Sequence, residues 1–388
     1  MKIKDILRVM CDRDASDVFL KVDNVPYLRV YGELVPLMDF PVLGAADLQH
    51  IVAEIADETH KKMLQNVFDT DFAMDAEDLG PSLSGTGRPA PPGLGPSLSG
   101  TGKPVSSGLD RFRVSIFMQR GVPSIVMRRI KKAVPDFDAL NLPKDVLERL
   151  SQERRGLILL TGPAGHGKST TIASMIEYMN TTQARHILTV EDPIEFTFTD
   201  KKSVINQREL GLDVSSYPVA LRQVTLQSPD VIFIGTIRDL DTMSAALNAA
   251  EMGILVLSTV HTVNAAQTAQ RILNFFPPHQ HAEIRMQLSF LLKGVVSLRL
   301  VPRADGSGRV PACETMLLTP TISRLLREGA FADITRFLEE GALFGMQSFK
   351  QSLAKLVKEG KIGVEEAYRY ADSREDLDLE IKGIKRLM

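Results

Sequence analysis

Gly156-Leu-Ile-Leu-Leu-Thr161 runs without a break into Gly162-Pro-Ala-Gly165-His166-Gly167-Lys168-Ser169-Thr170, and Thr171-Ile-Ala-Ser-Met-Ile176 follows. The first six residues read as a short strand buried on both faces, and the last six open a helix. The loop between them matches G-x-x-x-x-G-K-[ST], with its first glycine at 162 and its last at 167. The pattern carries chemistry only between a strand and a helix, which is where it stands here. Its glycines let backbone N–H groups close around phosphates, and the helix N-terminus adds partial positive charge. Lys168 is placed to reach the β- and γ-phosphates, and Ser169 to give a hydroxyl to a Mg²⁺ bridging them. Gly162, Pro163, Ala164, Gly165, His166, Gly167, Lys168, Ser169 and Thr170 are therefore expected to bind ATP. His166 has two places open to it, as a donor to the γ-phosphate or in solvent.

Two further strands follow at intervals suited to the same sheet. His186-Ile-Leu-Thr-Val-Glu191-Asp192-Pro193-Ile194-Glu195-Phe196 ends in carboxylates, and Ser228-Pro-Asp230-Val-Ile-Phe-Ile-Gly235-Thr236-Ile-Arg238-Asp239 has a polar end. Carboxylates at strand ends beside a phosphate loop can hold Mg²⁺ or orient a water, which makes Glu191 and Glu195 catalytic candidates and Glu191, with Ser169, a metal ligand. From about Leu142 apolar strands and helices alternate, the pattern of an α/β domain with a largely parallel sheet. From about Pro278 helices dominate, and Ile284, Leu288, Leu291, Leu292 and Val295 form one apolar stripe suited to packing.

Upstream, residues 1–75 read as α+β. Strands are expected at Val18–Val22, Tyr27–Tyr31 and Leu34–Leu37, and a helix from Asp47, its N-cap, to Met63. Leu-Gly-Pro-Ser-Leu-Ser-Gly-Thr-Gly occurs at 79–87 and again at 94–102, so residues 79–104 form a Gly/Pro/Ser-rich duplication expected to be disordered. Gly85-Thr-Gly87 has no strand before it or helix after it and does not read as a phosphate loop. Strands at Arg111–Phe117 and Ser124–Ile130 complete the first sheet. This gives a first domain over 1–131, a linker over 132–141 and an ATPase domain over 142–388.

The 388 residues carry a formal charge of −2 and two cysteines, Cys11 and Cys313, too far apart for C-x-x-C. That balance disfavours nucleic acid as a partner, and the cysteines offer neither a disulfide framework nor a structural zinc site. No apolar run approaches the ~20 residues of a membrane span, and the N-terminus lacks a secretory pattern, so the expected place is the cytoplasm.

These segments together resemble the secretion ATPase superfamily and, within it, the PilT/PilU type IV pilus retraction ATPases. Residues 162–170 correspond to that family's Walker A, Thr189–Phe196 to its Asp box, Pro229–Asp239 to its Walker B and Leu257-Ser-Thr-Val-His261-Thr262 to its His box. Ser16–Leu20, Arg111–Val114, Ala220–Gln223, Asn274–Pro277 and Gly345–Leu353 also fit, and Ala371–Leu377 looks closer to PilU. The resemblance covers nearly the whole chain except 79–104. The four-cysteine zinc motif usual in the extension and type II secretion ATPases is missing, which favours the retraction branch.

The resemblance implies a PAS-like N-terminal domain, a RecA-like P-loop ATPase domain with a helical C-terminal part, and a homo-hexameric ring with nucleotide between the two domains. It implies roles for His261 and for Arg113 and Arg128, which match positions where the family supplies arginines to phosphates. It also implies pilus retraction and twitching motility, a retraction-ATPase paralogue and an inner-membrane pilus platform protein as partners, and a peripheral place at the inner membrane.

The chain departs from the family at the chemistry. The family's Walker B has a glutamate, its expected catalytic base, where this chain has Thr236, a hydroxyl that takes no proton from water near neutral pH. Ala164 and His166 stand for Thr and Ser, Ile254 for the His of a Gly-His pair, Leu226 for an Arg and Leu298 for a Gln. Two functions follow: a motor in which Glu191 or Glu195 orients the water, or an ATP-binding accessory subunit that turns over little and modulates an active paralogue.

Overall fold

The computed structural model describes residues 2–30, 32–75, 111–130 and 133–384. The duplicated segment at 79–104 and the Gly85-Thr-Gly87 within it lie outside the described residues. The architecture is mixed α/β, and the chain divides into two compact units, Met1–Lys132 and Ala133–Met388.

The first unit is built on a six-stranded sheet of β1 (Asp17–Leu20), β2 (Tyr27–Val30), β3 (Glu33–Pro36), β4 (Asp69–Asp75), β5 (Arg111–Gln119) and β6 (Val122–Ile130). Their order is β3-β2-β1-β6-β5-β4, with every neighbouring pair antiparallel. Strand alternation decides what faces the core. Along β5, Phe112, Val114 and Ile116 are buried in one core with Ile3, Ile6 and Leu7 of the helix Ile3–Asp12 and Leu48 and Ile51 of the helix Ala45–Ile55. Arg111 and Arg113 consequently share the opposite face. Arg120 and Gly121, both with positive φ, make the two-residue turn between β5 and β6, the backbone that a twisted hairpin favours.

The single helix expected over 47–63 is two, Ala45–Ile55 and Glu58–Val67. Asp47 is not the N-cap but the third helical residue, accepting the Gly44 N–H at 2.9 Å, and Asp57 caps the second helix through the His60 N–H. The apolar residues at helical spacing, Leu48, Ile51, Val52 and Ile55, all lie in the first helix, and Asp57 beyond them competes locally for the backbone and starts the second.

The second unit holds a seven-stranded sheet of β7 (Gly156–Thr161), β8 (His186–Glu191), β9 (Val204–Glu209), β10 (Val231–Ile234), β11 (Leu255–Val260), β12 (Leu292–Pro302) and β13 (Arg309–Leu317), ordered β13-β12-β7-β11-β10-β8-β9. All pairs are parallel except β12 with β13. Every residue of β7, β10 and β11 is buried, as expected when helices cover both faces of a parallel sheet. Ligands of open α/β sheets gather at the carboxyl ends of such strands, and residues 162, 191, 235 and 261 each follow or end one of them.

The helical reading beyond 278 needs correction. The helix His281–Leu291 carries Ile284 and Leu288, but Leu292 and Val295 belong to β12, which pairs with β13 in a long hairpin. A continuous apolar run looks alike in a buried helix and in a strand buried on both faces, so periodicity alone does not separate them. The outer part of this hairpin, Val301, Val310 and Ala312, packs with Phe349, Leu353 and Leu377 of the C-terminal helices. Phe137 and Leu142, in the stretch read as a linker and its border, are buried in the second unit's core. Among the described residues no helix is long and apolar enough to cross a membrane.

Candidate nucleotide-binding site

The loop after β7 is shaped by its contact with β12. Gly162 has φ +137°, and a Cβ there would lie 2.5 Å from the Leu298 carbonyl oxygen, so no side chain fits without parting the loop from the strand. Gly167, also at positive φ, is the N-cap of the helix Lys168–Thr182, and its carbonyl accepts the Thr171 hydroxyl at 2.9 Å. Lys168 is buried and folds back over the loop. Its Nζ donates to the carbonyls of Gly162 (2.7 Å) and Pro163 (2.8 Å) and lies 3.5 Å from His261 Nδ1. Burial brings Lys168 down to about 8, with Glu195 opposing, so it keeps its charge at neutral pH. Ser169 and Thr170 follow, half-buried, on the first turn.

His166 is not turned out to solvent. Its Nδ1 accepts the Leu300 N–H of β12 at 3.1 Å. Burial above all, then Arg309, Lys168 and Arg299, hold its pKa below the usual 6.5. The ring is neutral at pH 7 and carries its proton on Nε2, since Nδ1 is the acceptor.

Glu191, at the end of β8, is buried. One carboxylate oxygen accepts the Thr189 hydroxyl at 2.7 Å and the Gln207 side-chain amide at 3.2 Å. Burial, the largest influence, raises the group to about 7 against these two hydrogen bonds, and the charge of Glu195 adds to the rise. Glu195 is half-buried on the loop that follows and acts electrostatically on both Glu191 and Lys168. That loop is held to β9, because the Ile194 N–H donates to the buried Glu209 at 3.0 Å.

Thr236 follows β10 and Gly235. Its hydroxyl lies 3.0 Å from the Thr259 hydroxyl, and Thr259 donates to the Gly235 carbonyl at 2.7 Å. A hydroxyl has one proton, so with Thr259's spent on Gly235 it is Thr236 that donates to Thr259. The Thr236 hydroxyl thus offers only lone pairs to anything beside it. Tyr217 closes this corner, its hydroxyl 3.0 Å from where a Gly235 Cβ would stand. Burial, with Asp192 and Glu191 nearby, raises that phenol well above its ordinary value.

His261 follows β11. Burial, Lys168 and Arg238 lower its pKa, partly offset by a hydrogen bond to the Gly162 backbone. Behind it the Ala265 N–H, at the start of the helix Ala265–Leu273, donates to the buried Glu314 at 2.7 Å. Glu314 also lies 3.4 Å from the Ser297 hydroxyl, which in turn is 2.9 Å from that of Thr161. Burial raises Glu314 to about 7.

Arg113 and Arg128 sit in the first unit, directly opposite each other on β5 and β6. Arg113 pairs with Asp71, and Arg128 donates to Asp17 at 2.9 Å. The second unit therefore brings together the phosphate loop, Glu191, Glu195 and His261, and the two arginines belong to the other unit. Sequence reading missed Gln207, Tyr217, Thr259 and Glu314. Thr259 was within reach, since it lies two residues before His261 at the end of β11. Gln207 and Glu314 carry no motif.

The oxygen chemistry fits Mg²⁺. The Ser169 hydroxyl and the carboxylate of Glu191 are hard donors, and this ion commonly takes one or two protein oxygens and completes its shell with water and phosphate. When bound there it would neutralise phosphate charge.

Residues 105–379 match the family described as Type II/IV secretion system protein. The type IV pilus ATPase PilU of Pseudomonas aeruginosa is 35% identical over 98% of this chain and 92% of its own length. The retraction ATPase PilT of the same organism is 35% identical over 95% of this chain and 97% of its own length. The crystal structure of the pilus retraction motor PilT with bound ADP superposes with a TM-score of 0.80 at 38% identity, covering 97% of this chain and 99% of that one.

Proposed function

The chain belongs to the PilT/PilU family of type IV pilus retraction ATPases, and from that premise we propose that it binds and hydrolyses ATP with Mg²⁺ to drive or assist pilus retraction. One observation carries the reading: Lys168 on the phosphate loop lies 3.5 Å from His261 and within the electrostatic reach of Glu195. Lys168 holds the β- and γ-phosphates, Ser169 holds the metal, and His261 senses the γ-phosphate end. Glu191 takes the water's proton, since a carboxylate near 7 is half ionised at neutral pH and so suited to general base work. Arg113 and Arg128 supply charge to the phosphates on giving up Asp71 and Asp17.

The same proposal includes a hexameric ring with a PAS-like first domain and a RecA-like second. The ring works in the cytoplasm against an inner-membrane platform protein, alone or beside a retraction-ATPase paralogue. Expression in a piliated bacterium lacking its own retraction ATPases tests it: the wild type restores twitching and Lys168→Ala does not. Equal restoration by both would remove ATP from the account.

Thr236 favours a second reading, an ATP-binding accessory subunit with little turnover. Its hydroxyl proton is spent on Thr259 and it has no carboxylate. That reading predicts restored twitching only when an active paralogue is present.

A further inference from the structure

We propose that His166 is a positioning residue that fastens the phosphate loop to β12 through its Nδ1. This rests on the reading of residues 162–170 as the phosphate site. His166 lies between Gly165 and Gly167, both at positive φ, in a loop whose neighbours Pro163, Ala164 and Gly165 are exposed. A loop so rich in glycine gives up much backbone freedom when its N–H groups order around an anion.

Two contacts restrain it against β12. At its start Gly162 is pressed on the Leu298 carbonyl, and in its middle His166 Nδ1 accepts the Leu300 N–H at 3.1 Å. The residue between them, Arg299, is itself clamped. It donates to the Tyr370 carbonyl at 2.7 Å and to Asp372 at 2.8 Å, and its guanidinium lies 3.8 Å from the Phe349 ring centroid. The stretch 298–300 of β12 is thus a fixed rail, and His166 is the side chain that ties the loop to it. The tie uses the only lone pair of a neutral imidazole, so Nδ1 has nothing left for another donor.

Chemistry separates this role from direct phosphate contact. Asparagine places an oxygen where histidine has Nδ1, and glutamine places an amide where it has Nε2. ADP affinity, measured calorimetrically with Mg²⁺ on the full chain, is compared for wild type, His166→Ala, His166→Asn, His166→Gln and Lys168→Ala, with the melting temperature of each as a folding check. The expected result is about fivefold weaker binding in His166→Ala, the worth of one hydrogen bond, recovery in His166→Asn and none in His166→Gln, with melting temperatures unchanged. Recovery in His166→Gln but not in His166→Asn would overturn the proposal in favour of a phosphate contact from Nε2. Unchanged affinity in His166→Ala, while Lys168→Ala fails to bind, would overturn it outright. Wild-type affinity in Lys168→Ala would instead remove the phosphate site itself.

Discussion

Replacing Glu191 by glutamine should make the protein more stable above neutral pH while sharply slowing hydrolysis. The carboxyl's ordinary value is 4.5, and in the fold burial raises it to about 7. The folded state therefore keeps this proton where the unfolded chain has lost it. Between 4.5 and 7 the unfolded state binds fewer protons, so stability falls as pH rises, and above 7 the full cost remains. At about 1.4 kcal/mol per pH unit, that interval amounts to on the order of 3 kcal/mol. Glutamine is neutral at every pH, and its carbonyl can accept from Thr189 and Gln207 as the carboxylate does. Urea unfolding of the two proteins, followed through the second unit, should then show near-equal stability at about pH 4, below both values. At pH 8 Glu191→Gln should lead by up to ~3 kcal/mol, while its ATP turnover falls by about 10²–10⁴-fold for loss of a base. A stability difference that does not change with pH, or a variant less stable at pH 8, would refute the reasoning, because Glu191 would then not be buried at a cost.

Other perturbations follow from the same contacts. Gly162→Ala forces a Cβ to within 2.5 Å of a carbonyl oxygen at φ +137°, and should cost about 1–3 kcal/mol in backbone strain together with a loss of nucleotide affinity, read by melting temperature and calorimetry. Glu314→Ala strands the Ala265 N–H in the core and should lower the melting temperature by the equivalent of about 1–3 kcal/mol, whereas Glu314→Gln, which keeps an acceptor, should not. Leu288→Ala, fully buried on the helix His281–Leu291, should cost about 2–5 kcal/mol in chemical denaturation. ATP turnover should rise with pH through about 7 as Glu191 loses its proton, and a flat profile from pH 6 to 8 would move the base elsewhere.

How much of this was legible in the sequence depends on the kind of signal each part leaves. The phosphate loop was legible because its chemistry demands fixed residue types at fixed spacing, and β7 with its following helix is what that spacing needs. The acidic end of β8 was legible for the same reason. The environment that shifts Glu191 was not, since Gln207 reaches it from β9 through pairing that no local pattern encodes. Pairing also hid β12 and β13: both lie largely buried in the sheet, and alternation, the usual mark of a strand, is absent there. His166 shows the limit of motif reasoning. The residue stands inside the phosphate loop, yet its ring bonds to a strand more than a hundred positions away. That position 236 carries a hydroxyl is plain from the sequence, but only the donor count at Thr259 shows that its proton is already committed.

The central claim is that the protein hydrolyses ATP although Thr236 brings no carboxylate to the end of β10. Steady-state ATP hydrolysis with Mg²⁺ by the wild type, beside Lys168→Ala and Thr236→Glu, tests it most directly. The account predicts wild-type turnover clearly above that of Lys168→Ala. Wild-type turnover equal to Lys168→Ala, with activity appearing only in Thr236→Glu, would contradict it and leave the accessory-subunit reading in its place.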